Sequence, residues 1–196
     1  MVDVNDREYT ERLIRLQRAR WKRLLHVQAP YRWNLRRLRL GFTLDVGCGI
    51  GRNLAHLDGN AVGLDTNVYS VTEARNRGFR AYTPVEFAAS EWNRHGVFDA
   101  LLLAHVAEHM RRDQVVELLS QYIPTVHSGG RVVLITPQEV CFSRDSTHVE
   151  FMDLARLRGI ADELGLLRER DSSFPLPRSF GRVFVYNEFV SVSRMP

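Results

Sequence analysis

The sequence contains little cysteine and no long apolar run. Cys48 and Cys141 are the only cysteines in 196 residues. They are too few for a disulfide framework or a cysteine-ligated zinc site, and this favours a reducing compartment. No stretch of about 18 apolar residues is present, so we expect no transmembrane helix. The polar segment MVDVNDREYTERL lacks the apolar centre of a signal peptide. We therefore expect a cytoplasmic protein.

Lysine is also scarce, and the basic residues that replace it are concentrated near the N-terminus. Lys22 is the single lysine, and all other basic residues are arginines. Residues 7–39 contain 11 basic and 2 acidic residues, whereas residues 40–196 contain 16 basic and 19 acidic residues. Two interpretations of the basic segment stay open: a solvated helix face, or a surface for phosphate or nucleic acid. As a role for this basic segment, we favour a lid or a homodimer contact over an arm that binds nucleic acid.

Strand-like and helix-like segments alternate along most of the chain. This alternation predicts a parallel sheet with helices on both faces. The last two strand-like runs, LLRERDSSF and GRVFVYNEFVSV, are joined by a turn near residues 175–181 and predict an antiparallel pair. We predict an α/β fold with one domain over residues 41–196. A helical extension over residues 1–40 precedes it, with one helix over residues 9–28 that Pro30 ends.

A glycine-rich turn follows the first predicted strand. The run LDVGCGIGR contains Gly47, Gly49 and Gly51, and Asp45 lies two residues before the first of them. Glycines allow a sharp turn and the close approach of a ligand. Asp65 ends the second predicted strand, where a carboxylate can accept both hydroxyls of a ribose. The spacing differs from the G-x-G-x-x-G of dinucleotide sites and matches D-x-G-x-G-x-G instead.

This pattern resembles motif I of class I S-adenosylmethionine-dependent methyltransferases. The resemblance covers roughly residues 30–196, through the acid that ends the second strand, FDALLLAHVAEHM at the fourth strand and GGRVVLITP at the fifth. It implies a doubly wound, Rossmann-like sheet of seven strands whose last strand is antiparallel. It also implies a methyltransferase that uses S-adenosyl-L-methionine as its cofactor.

The resemblance further implies which residues hold the cofactor. Asp45 and the glycines would hold its amino-acid end, and Asp65 its ribose. Residues 83–86 would flank the adenine, although the Asp that is common there is absent. Arg52 either reaches the cofactor carboxylate or caps a surface turn. The implied cofactor-binding residues are Asp45, Gly47, Gly49, Gly51, Arg52, Asp65, Thr66, Asn67, Thr83, Val85, Glu86, Ala104, His105 and Trp33.

Histidines and a carboxylate cluster after the fourth and fifth predicted strands. His105, Glu108 and His109 have i, i+3, i+4 spacing, so they project from one face if the segment is helical. His148 follows the fifth strand. We predict these four residues to be catalytic, because a histidine base can remove a hydroxyl proton. They could also bind a divalent metal such as Mg²⁺ or Mn²⁺, and a structural role for most of them is the third interpretation.

This cluster carries a second, narrower resemblance, to the small-RNA 3′-terminal 2′-O-methyltransferases. In that family E-x-x-E-H, TPN and D-H-x-F-E-W supply two Glu and two His that bind a divalent ion. In this chain the first Glu is replaced by His105, TPQ replaces TPN, and Met152 stands where the Trp would follow Phe151. These departures retain the metal chemistry and argue against RNA.

The chain as a whole resembles small actinobacterial sugar O-methyltransferases of polysaccharide biosynthesis, of the methylmannose type. The resemblance implies transfer of a methyl group to a hydroxyl of a sugar or oligosaccharide, such as a mannoside. The alternatives are an RNA 3′-terminal ribose, another small-molecule hydroxyl, or an inactive partner subunit that only binds the cofactor. We expect a small-molecule or oligosaccharide substrate, no nucleic acid and no membrane.

Overall fold

The computed structural model describes residues 10–11 and 29–196 of the chain. Thr10 and Glu11 are helical, and the remainder of the helix predicted over residues 9–28 lies outside the described residues. The described residues divide into two units, which meet after Asn93. The predicted boundary at residue 40 stays a prediction.

From Ala29 onward, the described part of the first unit contains three strands and four helices. Its elements are α1 (Ala29–Leu38), β1 (Thr43–Val46), α2 (Arg52–His56), β2 (Ala61–Leu64), α3 (Val68–Asn76), β3 (Ala81–Tyr82) and α4 (Pro84–Ala88). Strands β1 and β2 are parallel and buried along their whole length, and β2 is parallel to β3. The Asn67 side chain accepts hydrogen bonds from the Tyr69 and Ser70 N–H groups at the start of α3, which is a favourable N-cap.

The second unit contains four strands and three helices, with short 3₁₀ turns between them. Its elements are β4 (Phe98–Ala104), α5 (Arg112–Tyr122), β5 (Val126–Pro137), α6 (Glu139–Phe142), α7 (Leu154–Glu163), β6 (Leu167–Phe174) and β7 (Glu188–Arg194). Strand β4 is parallel to β5, and β7 is antiparallel to both β5 and β6. Helix α7 buries Leu157, Ile160 and Ala161, as its periodicity predicts.

The seven strands have the order β3-β2-β1-β4-β5-β7-β6 in a mixed sheet. The predicted α/β fold with parallel strands and an antiparallel end is therefore confirmed. Among the described residues, no helix is long and apolar enough to cross a membrane.

Several local predictions differ from the structure. Pro30 lies in the first turn of α1 rather than between two helices, because proline lacks only an N–H that has no intrahelical partner there. The predicted strand GRVFVYNEFVSV begins only at Glu188, and the preceding residues 178–182 form a 3₁₀ turn. Phe180 and Tyr186 in this connection are 46% and 43% exposed, so they are not core residues.

Candidate active site

The glycine-rich turn has the backbone that its sequence predicts. The φ angles of Gly47, Gly49 and Gly51 are 77°, 52° and 79°, a left-handed region that residues with a Cβ rarely adopt. The N–H groups of Gly47 and Cys48 donate to Leu64 O at 2.7 and 3.0 Å. The turn is thus held against the end of β2, with backbone rather than side chains on its surface.

Asp45 is a buried carboxylate with one unpaired oxygen. Asn53 Nδ2 donates to Asp45 Oδ1 at 3.3 Å, whereas Oδ2 has no hydrogen-bond partner among the described residues. Burial raises the pKa of Asp45 to about 7, although Asn53 and the nearby Arg52 oppose the shift. Oδ2 of this carboxyl therefore lacks the donor that a buried carboxylate oxygen requires.

Asp65 is held rigidly at the end of β2. Its Oδ2 accepts the Gly49 N–H at 2.7 Å, and its Oδ1 accepts the Asn67 N–H at 2.9 Å. Thr66, between these residues, is exposed. The cofactor roles of Asp65, Thr66 and Asn67 stay predictions.

The residues predicted to flank the adenine form the start of α4. Thr83 and Glu86 make a reciprocal capping box, and Arg75 binds both Glu86 oxygens at 3.1 and 2.8 Å. The Arg75 and Thr83 hydrogen bonds lower the pKa of Glu86 to about 2. Val85 is 82% exposed. Thr83 and Glu86 thus have a local structural role, and their adenine contact stays a prediction.

Two further predicted cofactor residues lie on helices of the first unit. Trp33 on α1 is largely exposed, and the Arg37 guanidinium lies 5.2 Å from its ring centroid, a distance at which cation–π attraction operates. Arg52 is the first residue of α2. Their contact with the cofactor stays a prediction.

Both cysteine thiols have a raised pKa. Burial raises the pKa of the Cys48 thiol far above its ordinary value, and burial, with nearby Glu188 and Glu108, raises the pKa of Cys141 to about 11. A thiolate is the nucleophilic form, so the raised pKa values disfavour a nucleophilic role for either residue. Cys48 packs in the apolar core with Leu54 and Val71.

In the second unit, His105 bridges two carboxylates. Its Nε2 lies 2.6 Å from Glu188 Oε1, and its Nδ1 lies 3.3 Å from Glu108 Oε1. The side chains of Glu108 and Glu188 are only 1% and 4% exposed. Burial alone would lower the pKa of His105, but the two carboxylates outweigh it and raise the pKa to about 9.

The segment between β4 and α5 is not helical where its polar residues lie, and this changes their arrangement. His105 has a φ of 59°, and residues 107–109 form a single 3₁₀ turn before α5. The i, i+3, i+4 geometry of a helix therefore does not apply. Both ring nitrogens of His105 face carboxylates. His105 therefore does not join Glu108, His109 and His148 as a fourth candidate metal ligand. Ala104 is the last residue of β4, and its cofactor contact stays a prediction.

Glu108, His109 and His148 come together as candidate metal ligands. One ligand-type atom from each lies within 4.8 Å of the others. His109 Nδ1 lies 3.1 Å from the Thr147 carbonyl oxygen, and His148 Nδ1 lies 2.7 Å from the Phe142 carbonyl oxygen. A carbonyl only accepts, so both Nδ1 atoms donate, and each neutral ring presents the lone pair of Nε2.

The donor set of this cluster fits a divalent ion. Glu108 Oε2 is buried and has no hydrogen-bond partner among the described residues, which leaves a carboxylate oxygen beside two imidazole lone pairs. Metal-ligating histidines characteristically donate their other ring N–H to a carbonyl or carboxylate. Imidazole and carboxylate ligands together suit divalent transition ions.

The loop that carries His148 is attached directly to Glu108. The N–H groups of Val149 and Glu150 both donate to Glu108 O, at 2.7 and 3.2 Å. Asp145 Oδ1 accepts the Thr147 N–H at 3.0 Å and the Thr147 hydroxyl at 2.7 Å. Residues 108 and 148 are therefore held together although 40 residues separate them in the chain.

Sequence reasoning missed three groups of this site. They are the Glu188 carboxylate and the backbone carbonyls of Phe142 and Thr147. No motif marks Glu188, which lies 83 residues from its partner His105. Backbone carbonyls have no signature in the sequence at all.

Comparison with known proteins identifies the class of this fold and site. Residues 13–168 match the methyltransferase domain family. Because the match covers most of the chain, the chain belongs to that family. No curated protein sequence is significantly similar to it.

Solved structures have the same fold at low sequence identity. A SAM-dependent methyltransferase from Archaeoglobus fulgidus is 19% identical, with a TM-score of 0.66, over 84% of this chain and 92% of that one. A TehB-like SAM-dependent methyltransferase from Corynebacterium glutamicum is 17% identical, with a TM-score of 0.65, over 96% and 99%. Magnesium protoporphyrin IX methyltransferase from Synechocystis, with bound SAH, is 15% identical, with a TM-score of 0.59, over 84% and 79%.

These findings confirm the sequence prediction of a SAM-dependent methyltransferase. The first unit fits the cofactor on two observations. The glycine-rich turn exposes backbone without side chains, and the unpaired Asp45 Oδ2 is complementary to the positive amino group of the cofactor.

Proposed function

We propose that this enzyme transfers a methyl group from S-adenosyl-L-methionine to a hydroxyl of a sugar or oligosaccharide, such as a mannoside. In the proposal, Glu108, His109 and His148 hold a divalent ion that assists the reaction, and the enzyme acts in the cytoplasm. The observation that carries it is the convergence of two imidazoles and an unpaired buried carboxylate oxygen.

The chemistry explains why such a cluster is useful. A sugar hydroxyl is a weak nucleophile until its proton is removed. A bound divalent ion lowers the pKa of a coordinated hydroxyl and orients it. Without a metal, His148 Nε2 is free to accept that proton as a general base. Both routes use His148, and they differ in whether chelators abolish the reaction.

The charge of the cluster supports a cation. Glu108 and Glu188 are both buried carboxylates, and the single imidazole of His105 bridges them. Glu108 Oε2 has no hydrogen-bond partner among the described residues. Buried charge is costly unless it is paired, so a divalent ion beside Glu108 Oε2 would stabilise the arrangement.

The preference for a sugar rests on the resemblance to sugar O-methyltransferases and on two further features. Three protein ligands leave coordination positions free, and neighbouring hydroxyls of a sugar ring can occupy two of them. Phe180 and Tyr186 are exposed aromatic side chains of the same unit, and rings with an apolar face and a polar edge suit carbohydrate binding.

A ribose at the 3′ end of RNA is the second candidate. The charge of helix α1 supports this RNA alternative. Arg32, Arg36 and Arg37 are exposed, and the helix contains no acidic residue. Such a face can bind phosphates. This alternative predicts RNA affinity that decreases steeply with salt concentration.

The test is methyl transfer from labelled cofactor to separate pools of glycans, RNA and protein. We expect label in a glycan and its loss when a chelator removes the metal. Label in RNA alone would favour the ribose alternative. Cofactor binding without any labelled product would favour a non-catalytic subunit.

A further inference from the structure

Glu188 is a buried carboxylate to which neither the sequence motifs nor the proposed function assigns a task. It is the first residue of β7, opposite Pro137 of β5 and Phe174 of β6. Its carbonyl oxygen accepts a hydrogen bond from Gln138 Nε2 at 2.9 Å. The backbone of Glu188 is thus fixed on both sides, and its side chain reaches His105.

We propose that Glu188 is a positioning residue of the metal site and acts on Glu108 through His105. This inference rests on the proposed function, because it concerns the same ion. No recorded hydrogen bond or ion pair of the described residues joins Glu188 to His109 or His148. Its influence passes through the imidazole that it binds at 2.6 Å.

The geometry gives this chain of contacts a definite result. His105 Nδ1 engages Glu108 Oε1 at 3.3 Å, so this oxygen is occupied by a donor. The other oxygen, Oε2, is the unpaired one. Glu188 therefore fixes the imidazole, the imidazole fixes one carboxylate oxygen, and the second oxygen is left for the ion.

The backbone of His105 makes this bridge rigid. Its N–H donates to Ile135 O at 2.9 Å, and its φ of 59° is a left-handed conformation that a histidine adopts only where its surroundings require it. Glu108 is fixed in turn, because its carbonyl accepts the N–H groups of Val149 and Glu150. The carboxylate oxygen and the loop of His148 thus share one framework.

The carboxylate of Glu188 matters for this orientation. A carboxylate accepts a stronger hydrogen bond than the neutral amide of a glutamine, so its loss would loosen the 2.6 Å contact with His105 Nε2. The imidazole would then hold Glu108 Oε1 less firmly, and Oε2 would no longer be fixed for the ion. Loss of the Glu188 carboxylate should therefore weaken metal binding.

The experiment measures Mn²⁺ affinity of the full-length protein by calorimetry or by electron paramagnetic resonance. For Glu188→Gln, which keeps the shape and removes the charge, we expect about 10- to 100-fold weaker Mn²⁺ binding. Glu188→Asp keeps the charge and should recover part of the affinity. Binding of S-adenosyl-L-methionine should be unchanged in both.

Glu169→Gln is the matched control. Glu169 lies on neighbouring β6 and pairs with Arg131 and Arg194 at the surface, so its loss should leave Mn²⁺ affinity unchanged. Equal Mn²⁺ affinity of the wild type and Glu188→Gln would overturn the inference. If Glu188→Gln does not fold, wild-type affinity in Glu188→Asp, whose shorter side chain cannot keep the 2.6 Å contact, would overturn it instead.

A wild-type protein that binds no Mn²⁺ would overturn this inference as well. In that event, transfer of label to a glycan in the presence of a chelator would still support the proposed methyl transfer. The two conclusions can therefore fail separately.

Discussion

Replacement of Asp45 by asparagine should make the protein without cofactor more stable and its cofactor binding weaker. Asp45 is completely buried, and its Oδ2 has no partner among the described residues. The site therefore accepts an unfavourable buried charge in the absence of the cofactor. Asp45→Asn removes this charge and preserves the size of the side chain.

The magnitude follows from the pKa of Asp45, which rises from 3.8 to about 7. A shift of roughly three units corresponds to about 4 kcal/mol at a pH above both values, at 1.36 kcal/mol per unit. The variant leaves an amide N–H unpaired, at a cost of about 1–3 kcal/mol. We therefore expect a net gain on the order of 1–3 kcal/mol in the free energy of unfolding at pH 8.

The pH dependence has a definite sign. The folded state holds the proton of Asp45 more tightly than the unfolded state, so the unfavourable contribution is absent below pH 3.8 and complete above about pH 7. The advantage of Asp45→Asn should thus grow between pH 4 and pH 7. Urea denaturation at several pH values measures it.

Cofactor affinity should change in the opposite direction. A charge-assisted hydrogen bond contributes about 1.5–3 kcal/mol, so Asp45→Asn should bind S-adenosyl-L-methionine roughly 10- to 150-fold more weakly at pH 8. Calorimetric titration measures this. A variant that is less stable at pH 8 and binds the cofactor as tightly as the wild type would refute the reasoning.

Two other substitutions test the site and the fold. His148→Ala should lower turnover on the order of 10²- to 10⁴-fold and leave the calorimetric affinity for the cofactor unchanged; full activity would remove His148 from the mechanism. Gly63→Ala should lower the free energy of unfolding by about 1–3 kcal/mol, because its Cβ would lie 2.6 Å from Cys48 Sγ. The control Gly159→Ala in α7 meets nothing closer than 3.6 Å and should gain about 0.5–1 kcal/mol in thermal or urea denaturation. Equal effects of the two glycine variants would contradict the packing argument.

Features that depend on neighbouring residues could be predicted from the sequence. The positive φ angles of Gly47, Gly49 and Gly51 and the position of Asp65 after β2 follow from local patterns. The seven strands and the antiparallel last strand follow from the resemblance to the methyltransferase family. Short-range spacing thus predicted most of the fold and the backbone of the glycine-rich turn, and the cofactor contacts stay predictions.

Features that depend on distant parts of the chain could not be predicted in the same way. The i, i+3, i+4 spacing suggested a helix. Instead, His105 adopts a left-handed conformation and binds Glu188, which lies 83 residues further along the chain. The nearly continuous apolar pattern before β7 suggested a longer strand, whereas residues 178–182 form a 3₁₀ turn. In both cases tertiary contacts outweigh local preference.

The central claim is that Glu108, His109 and His148 hold a divalent ion that assists methyl transfer to a sugar hydroxyl. Its most direct test is transfer of labelled methyl groups to a mannose oligosaccharide by metal-stripped enzyme, before and after addition of Mn²⁺. The account predicts that stripped wild type is inactive, that Mn²⁺ restores it, and that Mn²⁺ does not restore Glu108→Gln. Transfer by the stripped enzyme at the rate seen with Mn²⁺ would contradict the account.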